Sequence, residues 1–135
     1  MSHYYKVIVD FKSAIDIANK KIEEYQAKLI LEDGKKIFYE KVIIIGYIIR
    51  DIYSAFDKNN FDNLQELNNR YNEEMINTLD ILEELVKQNI YTENEYIAYA
   101  NSFMERKRDY DILCNNPETV KGIPLCECCI PKNIL

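Results

Sequence analysis

The chain has no tryptophan, one histidine, three glycines and three prolines among its 135 residues. An all-β sandwich or barrel needs many tight turns, and this chain lacks the residues that make them. The one histidine, His3, stands beside the amino end, and nothing in the pattern around it points to a nucleophile that it would activate. A Ser-His-Asp or Cys-His centre is therefore not expected. A di-iron bundle needs Glu-x-x-His on two helices, which one histidine cannot supply. Ribonucleases that place an Arg a few residues before a His are excluded as well, because no His follows Arg106 or Arg108. Glycine-rich phosphate loops are absent. The longest apolar run, Val42 to Ile49, is eight residues, too short to cross a bilayer. The opening Met-Ser-His-Tyr-Tyr-Lys has none of the pattern of a signal peptide, so a cytoplasmic location is expected, in a host cell or a virion if the source is viral.

Isoleucine occurs 20 times, asparagine 14, lysine 13 and tyrosine 11, against four arginines. All four enriched types have AT-rich codons. The composition therefore points to an AT-rich genome, such as that of a large DNA virus or a phage of low-GC bacteria. Net charge is −6, which argues against a general nucleic-acid coat. It is unevenly spread. Residues 1–58 carry ten basic and nine acidic groups, whereas 59–135 carry seven basic and fourteen acidic. An acidic second half can steer a basic partner, although a solvated acidic face is the commoner meaning of such a run.

The dominant signal is helical periodicity. Ile8, Phe11, Ile15, Ala18, Ile22, Tyr25 and Leu29 alternate steps of three and four, which predicts a helix over about 4–33. Gly34 suits the left-handed residue that ends it. A strand at Tyr4–Phe11 and a hairpin turn at Asp33-Gly34 are the competing readings. Phe38, Val42, Ile45, Ile49, Ile52 and Phe56 continue the pattern in a second helix, about 35–58, which should be the most buried of the set. Asn60 or Asp62 is expected to cap a third helix, about 61–90, lined by Leu64, Leu67, Tyr71, Met75, Leu79, Leu82 and Val86. Thr92 and Glu95 form a capping box for a fourth, about 93–115. Its expected inner face is Tyr96, Ala100, Phe103, Lys107, Tyr110 and Cys114.

Short connections force antiparallel neighbours. The expected fold is thus an all-α, up-down-up-down four-helix bundle over 1–116. A cysteine- and proline-containing tail, 117–135, is expected to pack on it. The alternative is a dimer in which long hairpins pair across a two-fold axis.

Four cysteines, Cys114, Cys126, Cys128 and Cys129, are the chemically distinctive residues. Four thiolates complete a tetrahedral zinc site, although the spacing lacks the usual C-x2-C knuckles. Free thiols in the tail are the plainer reading. A disulfide, Cu(I) binding or acylation are others. On a helical wheel Ile43, Tyr47 and Arg50 fall opposite the second helix's seam, and exposed Ile and Tyr together suggest a contact surface. Cover by a fifth element is the alternative. Paired carboxylates such as Glu73-Glu74 and Glu83-Glu84, and the run Arg106-Lys107-Arg108 flanked by acids, read as solvated surface.

These observations lead to a non-enzymatic helical interaction protein: an adaptor, a virion component or an inhibitor that binds another protein, itself a monomer or a homodimer. The alternatives are a small metal-binding or thiol-redox protein using the cysteine cluster, and an acidic nucleic-acid mimic.

Overall fold

A computed structural model describes residues 11–115 and 117. Four helices follow one another: α1, Phe11–Leu31; α2, Lys36–Asp57; α3, Leu64–Lys87; and α4, Glu93–Asn115. A 3-10 turn, Asp33–Lys35, joins the first two. There is no strand among the described residues. At 1.5 Å per residue each helix is roughly 32–36 Å long. Each packs on the next in the sequence, and the result is an all-α four-helix bundle. Rings on α4 also reach α2: Phe38 and Tyr99 meet edge-on with centroids 4.9 Å apart, and Tyr53 and Tyr110 at 5.9 Å.

α2 is the spine. It buries eleven residues, including the whole expected seam of Phe38, Val42, Ile45, Ile49, Ile52 and Phe56. The run Val42-Ile43-Ile44-Ile45 has strand propensity, but helix packing on several sides outweighs a preference that spans only about 1 kcal/mol. Ile45, Ile49 and Ile52 are fully buried, so truncating one of them to Ala costs about 2–5 kcal/mol. Phe11 stacks on Phe56 at 5.1 Å and ties the start of α1 to the end of α2.

The breaks between helices are built differently from the expectation. Gly34 does not take the left-handed conformation; it sits inside the 3-10 turn, and α1 ends at Leu31. Two asparagines do the left-handed work instead, Asn59 at φ 55° and Asn89 at φ 60°. After α2, the Asn59 N–H donates to the Phe56 carbonyl and the Asn60 N–H to Ala55. After α3, Asn89 donates to Val86 and Ile90 to Leu85. Both are Schellman closures, in which asparagine replaces the usual glycine. The expected caps at Asn60 and Asp62 are not used. Asn63 is the N-cap of α3, without a side-chain bond, and Asn60 Oδ1 accepts from the Asp62 N–H at 3.4 Å. The Thr92–Glu95 capping box is present as expected. Thr92 Oγ1 accepts from the Glu95 N–H at 3.1 Å, and Glu95 Oε1 accepts from the Thr92 N–H at 3.0 Å. The bond from the Thr92 N–H foremost, and a second donated by the Thr92 hydroxyl at 3.1 Å, hold the Glu95 carboxyl below its ordinary range.

α4 is rotated from its expected setting. Its buried residues are Phe103, Arg106, Tyr110, Leu113 and Cys114. Arg106 therefore occupies the seam position expected for Lys107, and Lys107 lies at the edge, paired with Asp111 at 2.7 Å. Tyr99, Phe103, Arg106, Tyr110 and Leu113 also alternate steps of four and three, so the sequence carried two frames. The rotated frame buries Leu113 and keeps a lysine off the seam. The amino-terminal part of the first expected helix, residues 4–10, lies outside the described residues, as does the expected packing of the tail. The competing hairpin at Asp33-Gly34 is excluded, because helices flank it on both sides.

Candidate functional site

Ile43, Tyr47 and Arg50 were expected to share one exposed face. The structure divides them. Ile43 is only 8% exposed and belongs to the core. α2 packs on α1, α3 and α4 together, so its buried arc is wider than a single seam and takes in the flank that bears Ile43. Tyr47 remains on the surface at 37% exposure. Two contacts fix its ring. Gln26 of α1 donates to the Tyr47 hydroxyl oxygen at 3.1 Å, and the Arg50 guanidinium lies over the ring, 4.7 Å from its centroid. Arg50 in turn reaches Asp51 at 3.4 Å. The Tyr47 side chain is thus hydrogen-bonded at its hydroxyl and covered on its ring by a guanidinium.

The acidic face of α3 is partly used within the fold. Glu74 pairs with Lys41 of α2 at 3.4 Å, whereas Glu66, Glu73, Asp80, Glu83 and Glu84 are exposed.

The interior of the bundle holds polar groups that pattern reading did not place. Arg106, 7% exposed, lies 3.7 Å from both Glu105 and Asp109. Around it stand Tyr53, Tyr71 and Tyr110. Burial pushes the ionisation of all three above the ordinary tyrosine range, and the Arg106 charge works in the opposite direction. The Tyr71 hydroxyl donates to the Phe103 carbonyl at 2.9 Å. Those of Tyr53 and Tyr110 are buried side by side without a well-formed hydrogen bond among the described residues, and each shifts the ionisation of the other. Burial also raises the Asp109 carboxyl, with Arg106 and Arg108 pulling against it. Two residues on, Asp111 behaves oppositely. Burial would raise it, but Lys107 and the amide of Asn68, which donates at 2.9 Å, hold it below the ordinary range. At the other end of the bundle Tyr25 and Tyr39 meet edge-on at 5.4 Å. Lys28 sits over both rings, and Lys35 over Tyr91. These cations are the chain's own, so the aromatic faces are already taken.

Of the candidate metal ligands only Cys114 is described. It is a free thiol, buried at the end of α4, and burial pushes it up to about 12. Cys114 packs there as part of the hydrophobic core. Cys126, Cys128 and Cys129 lie outside the described residues. No group of three or more His, Cys, Asp or Glu side chains is arranged to hold a metal ion among the described residues. No helix among them is long and apolar enough to cross a membrane.

The outer face of α4 is a surface that the sequence reading passed over. Ile97, Met104 and Ile112 stand there half exposed, beside an open groove of about 660 Å³ bordered by Asn101, Glu105, Lys107, Arg108 and Asp111. The signal was available: these three apolar residues fitted neither frame of the helix.

Compared with known proteins, the chain matches no family model, no curated protein and no solved structure.

Proposed function

We propose that this protein is a non-enzymatic interaction module that binds another protein through the α1–α2 face centred on Tyr47. The observation that carries the reading is the preorganised ring. Tyr47 is held from one side by Gln26 and covered by Arg50, and Tyr and Arg are the residues that most often dominate protein interfaces. A ring fixed in advance loses little rotamer freedom on binding, so more of its contact energy appears as affinity. The role is that of an adaptor, a virion component or an inhibitor, acting in a host cytoplasm or in a virion. The AT-biased composition fits a viral source.

The test begins with affinity capture of a partner and continues with that partner purified. Titration calorimetry with the wild-type chain and with Tyr47→Ala should show weakening of about tenfold or more, equivalent to about 1.4 kcal/mol. Arg50→Ala should weaken binding in the same direction, because it unclamps the ring. Unchanged affinity in both variants, with circular dichroism showing intact helices, would remove this face from the proposal.

A further inference from the structure

We infer that the outer face of α4 is a self-association surface, on which two copies of this chain pair α4 against α4 in antiparallel order across a two-fold axis. The buried side of α4 is set by Phe103, Arg106, Tyr110, Leu113 and Cys114. Six residues, Ile97, Asn101, Met104, Glu105, Arg108 and Ile112, fall within an arc of about 100° centred on the opposite side. All six are exposed, and the three apolar ones are half exposed. Five of them, Asn101 to Ile112, line the groove, and Ile97 continues the face about one turn beyond it. Ile97, Asn101, Met104 and Arg108 step by four, three and four, which is the spacing of a helix–helix seam. α4 thus carries a second seam that no helix among the described residues covers.

The occupant is named by the order of these residues. Reversing α4 about the point between Met104 and Glu105 maps the face onto itself. Ile97 exchanges with Ile112, Asn101 with Arg108, and Met104 with Glu105. An isologous interface requires this self-complementarity: where residue i of one copy meets j of the other, j also meets i. In the antiparallel pair Ile97 meets the partner's Ile112, and the same contact recurs about 22 Å along the axis. Met104 meets the partner's Met104 beside the two-fold. Arg108 lies level with the partner's Asn101, a polar pairing that fixes the register. A long helical side chain leans toward the amino end of its own helix, which carries Arg108 toward the partner's Glu105, about 6 Å further along the axis.

The charges agree with this reading. Arg108 forms no ion pair among the described residues, so it is available to a carboxylate from outside. The whole chain carries −6, which sets two copies against each other. Glu105 and Arg108 leave the outer face of α4 neutral, so copies meet there with less repulsion. Six residues a side is well short of the roughly 20–30 of a standard interface. The dimer is therefore weak, half formed at a chain concentration between about 10 μM and 1 mM.

Sedimentation equilibrium of the full-length chain, kept reduced with a phosphine, tests the pairing over about 10 μM to 1 mM. A rise to twice the chain mass is expected. Ile97→Glu with Ile112→Glu sets carboxylate against carboxylate at both ends and should weaken the dimer about tenfold or more. Ile97→Lys with Ile112→Lys should weaken it as much, although it lowers the net charge of the chain. Ile97→Glu with Ile112→Lys sets opposite charges face to face and should hold the dimer about tenfold tighter than either like-charged variant. The two positions lie about 22 Å apart on one helix, so they couple only across an interface. Both are half exposed, and circular dichroism with thermal melting checks that each variant keeps the bundle. A chain that stays monomeric at every concentration overturns the proposal. So does a dimer that both like-charged variants leave unchanged, which puts the contact elsewhere. Equal weakening by all three variants overturns the antiparallel register, and the proposal with it.

Discussion

Tyr71 and Tyr110 provide a controlled comparison inside one core. Their rings meet edge-on at 5.0 Å, and both residues are fully buried. They differ in what their hydroxyls do. Tyr71 donates to the Phe103 carbonyl at 2.9 Å, whereas the Tyr110 hydroxyl has no well-formed hydrogen bond among the described residues. Replacing either by Phe leaves the ring, its packing and the aromatic geometry in place. In Tyr71→Phe the loss is one buried hydrogen bond, and destabilisation of about 0.5–1.5 kcal/mol is expected. In Tyr110→Phe the loss is a hydroxyl whose removal from water, worth about 1–3 kcal/mol, no bond offsets. This substitution should leave stability unchanged or raise it. Urea unfolding followed by circular dichroism at 222 nm, at pH 7 and with equal m-values, measures both. Each kcal/mol also moves the melting temperature by roughly 3–5 °C for a chain of this size. The reasoning fails if Tyr110→Phe destabilises as much as Tyr71→Phe. That result would mean the Tyr110 and Tyr53 hydroxyls bond to each other or to a buried water in solution.

Two further predictions concern α4. Asp109 and Asp111 should show opposite pH dependence. The Asp109 carboxyl is raised, so the folded state holds its proton more tightly than the unfolded chain does. Its contribution is present at low pH and lost as pH rises through the aspartate range, and Asp109→Asn should stabilise at pH 7 and be neutral near pH 3. The Asp111 carboxyl is lowered, so its contribution is present at neutral pH and lost on acidification, and Asp111→Asn should destabilise at pH 7 and be neutral in acid. Urea midpoints for wild type and both variants at the two pH values decide the signs. Cys114, buried and with its thiol pushed up to about 12, should stay unalkylated by iodoacetamide at pH 8 and react only in urea; rapid labelling of the native chain, read by peptide mass, would contradict the described burial.

Periodicity alone was sufficient to locate the helices. The three-four alternation from Phe38 to Phe56 marked α2 and its dominance, since a wide apolar arc needs neighbours on several sides. The Thr92–Glu95 box marked the first residue of α4 because both partners are local and the geometry needs nothing from outside. Gly34 misled because glycine permits the left-handed conformation without requiring it. Asn59 and Asn89 escaped notice because asparagine also serves as a cap, a turn residue and ordinary surface.

The candidate contact face was half legible. Tyr47 could be set on the outside of α2, but Ile43 lies only 40° round the arc from the buried flank, and its fate depended on where α1 came to rest. The same holds for α4, where Lys107 and Arg106 were alternative seam residues. Sequence fixes the period of an amphipathic helix, because period is a property of the backbone. It does not fix the rotation of a weakly amphipathic one, because rotation is set by the sum of contacts with three other helices. That sum placed Arg106 among the tyrosines, left the Tyr110 hydroxyl without a well-formed hydrogen bond among the described residues, and turned Ile97, Met104 and Ile112 outward.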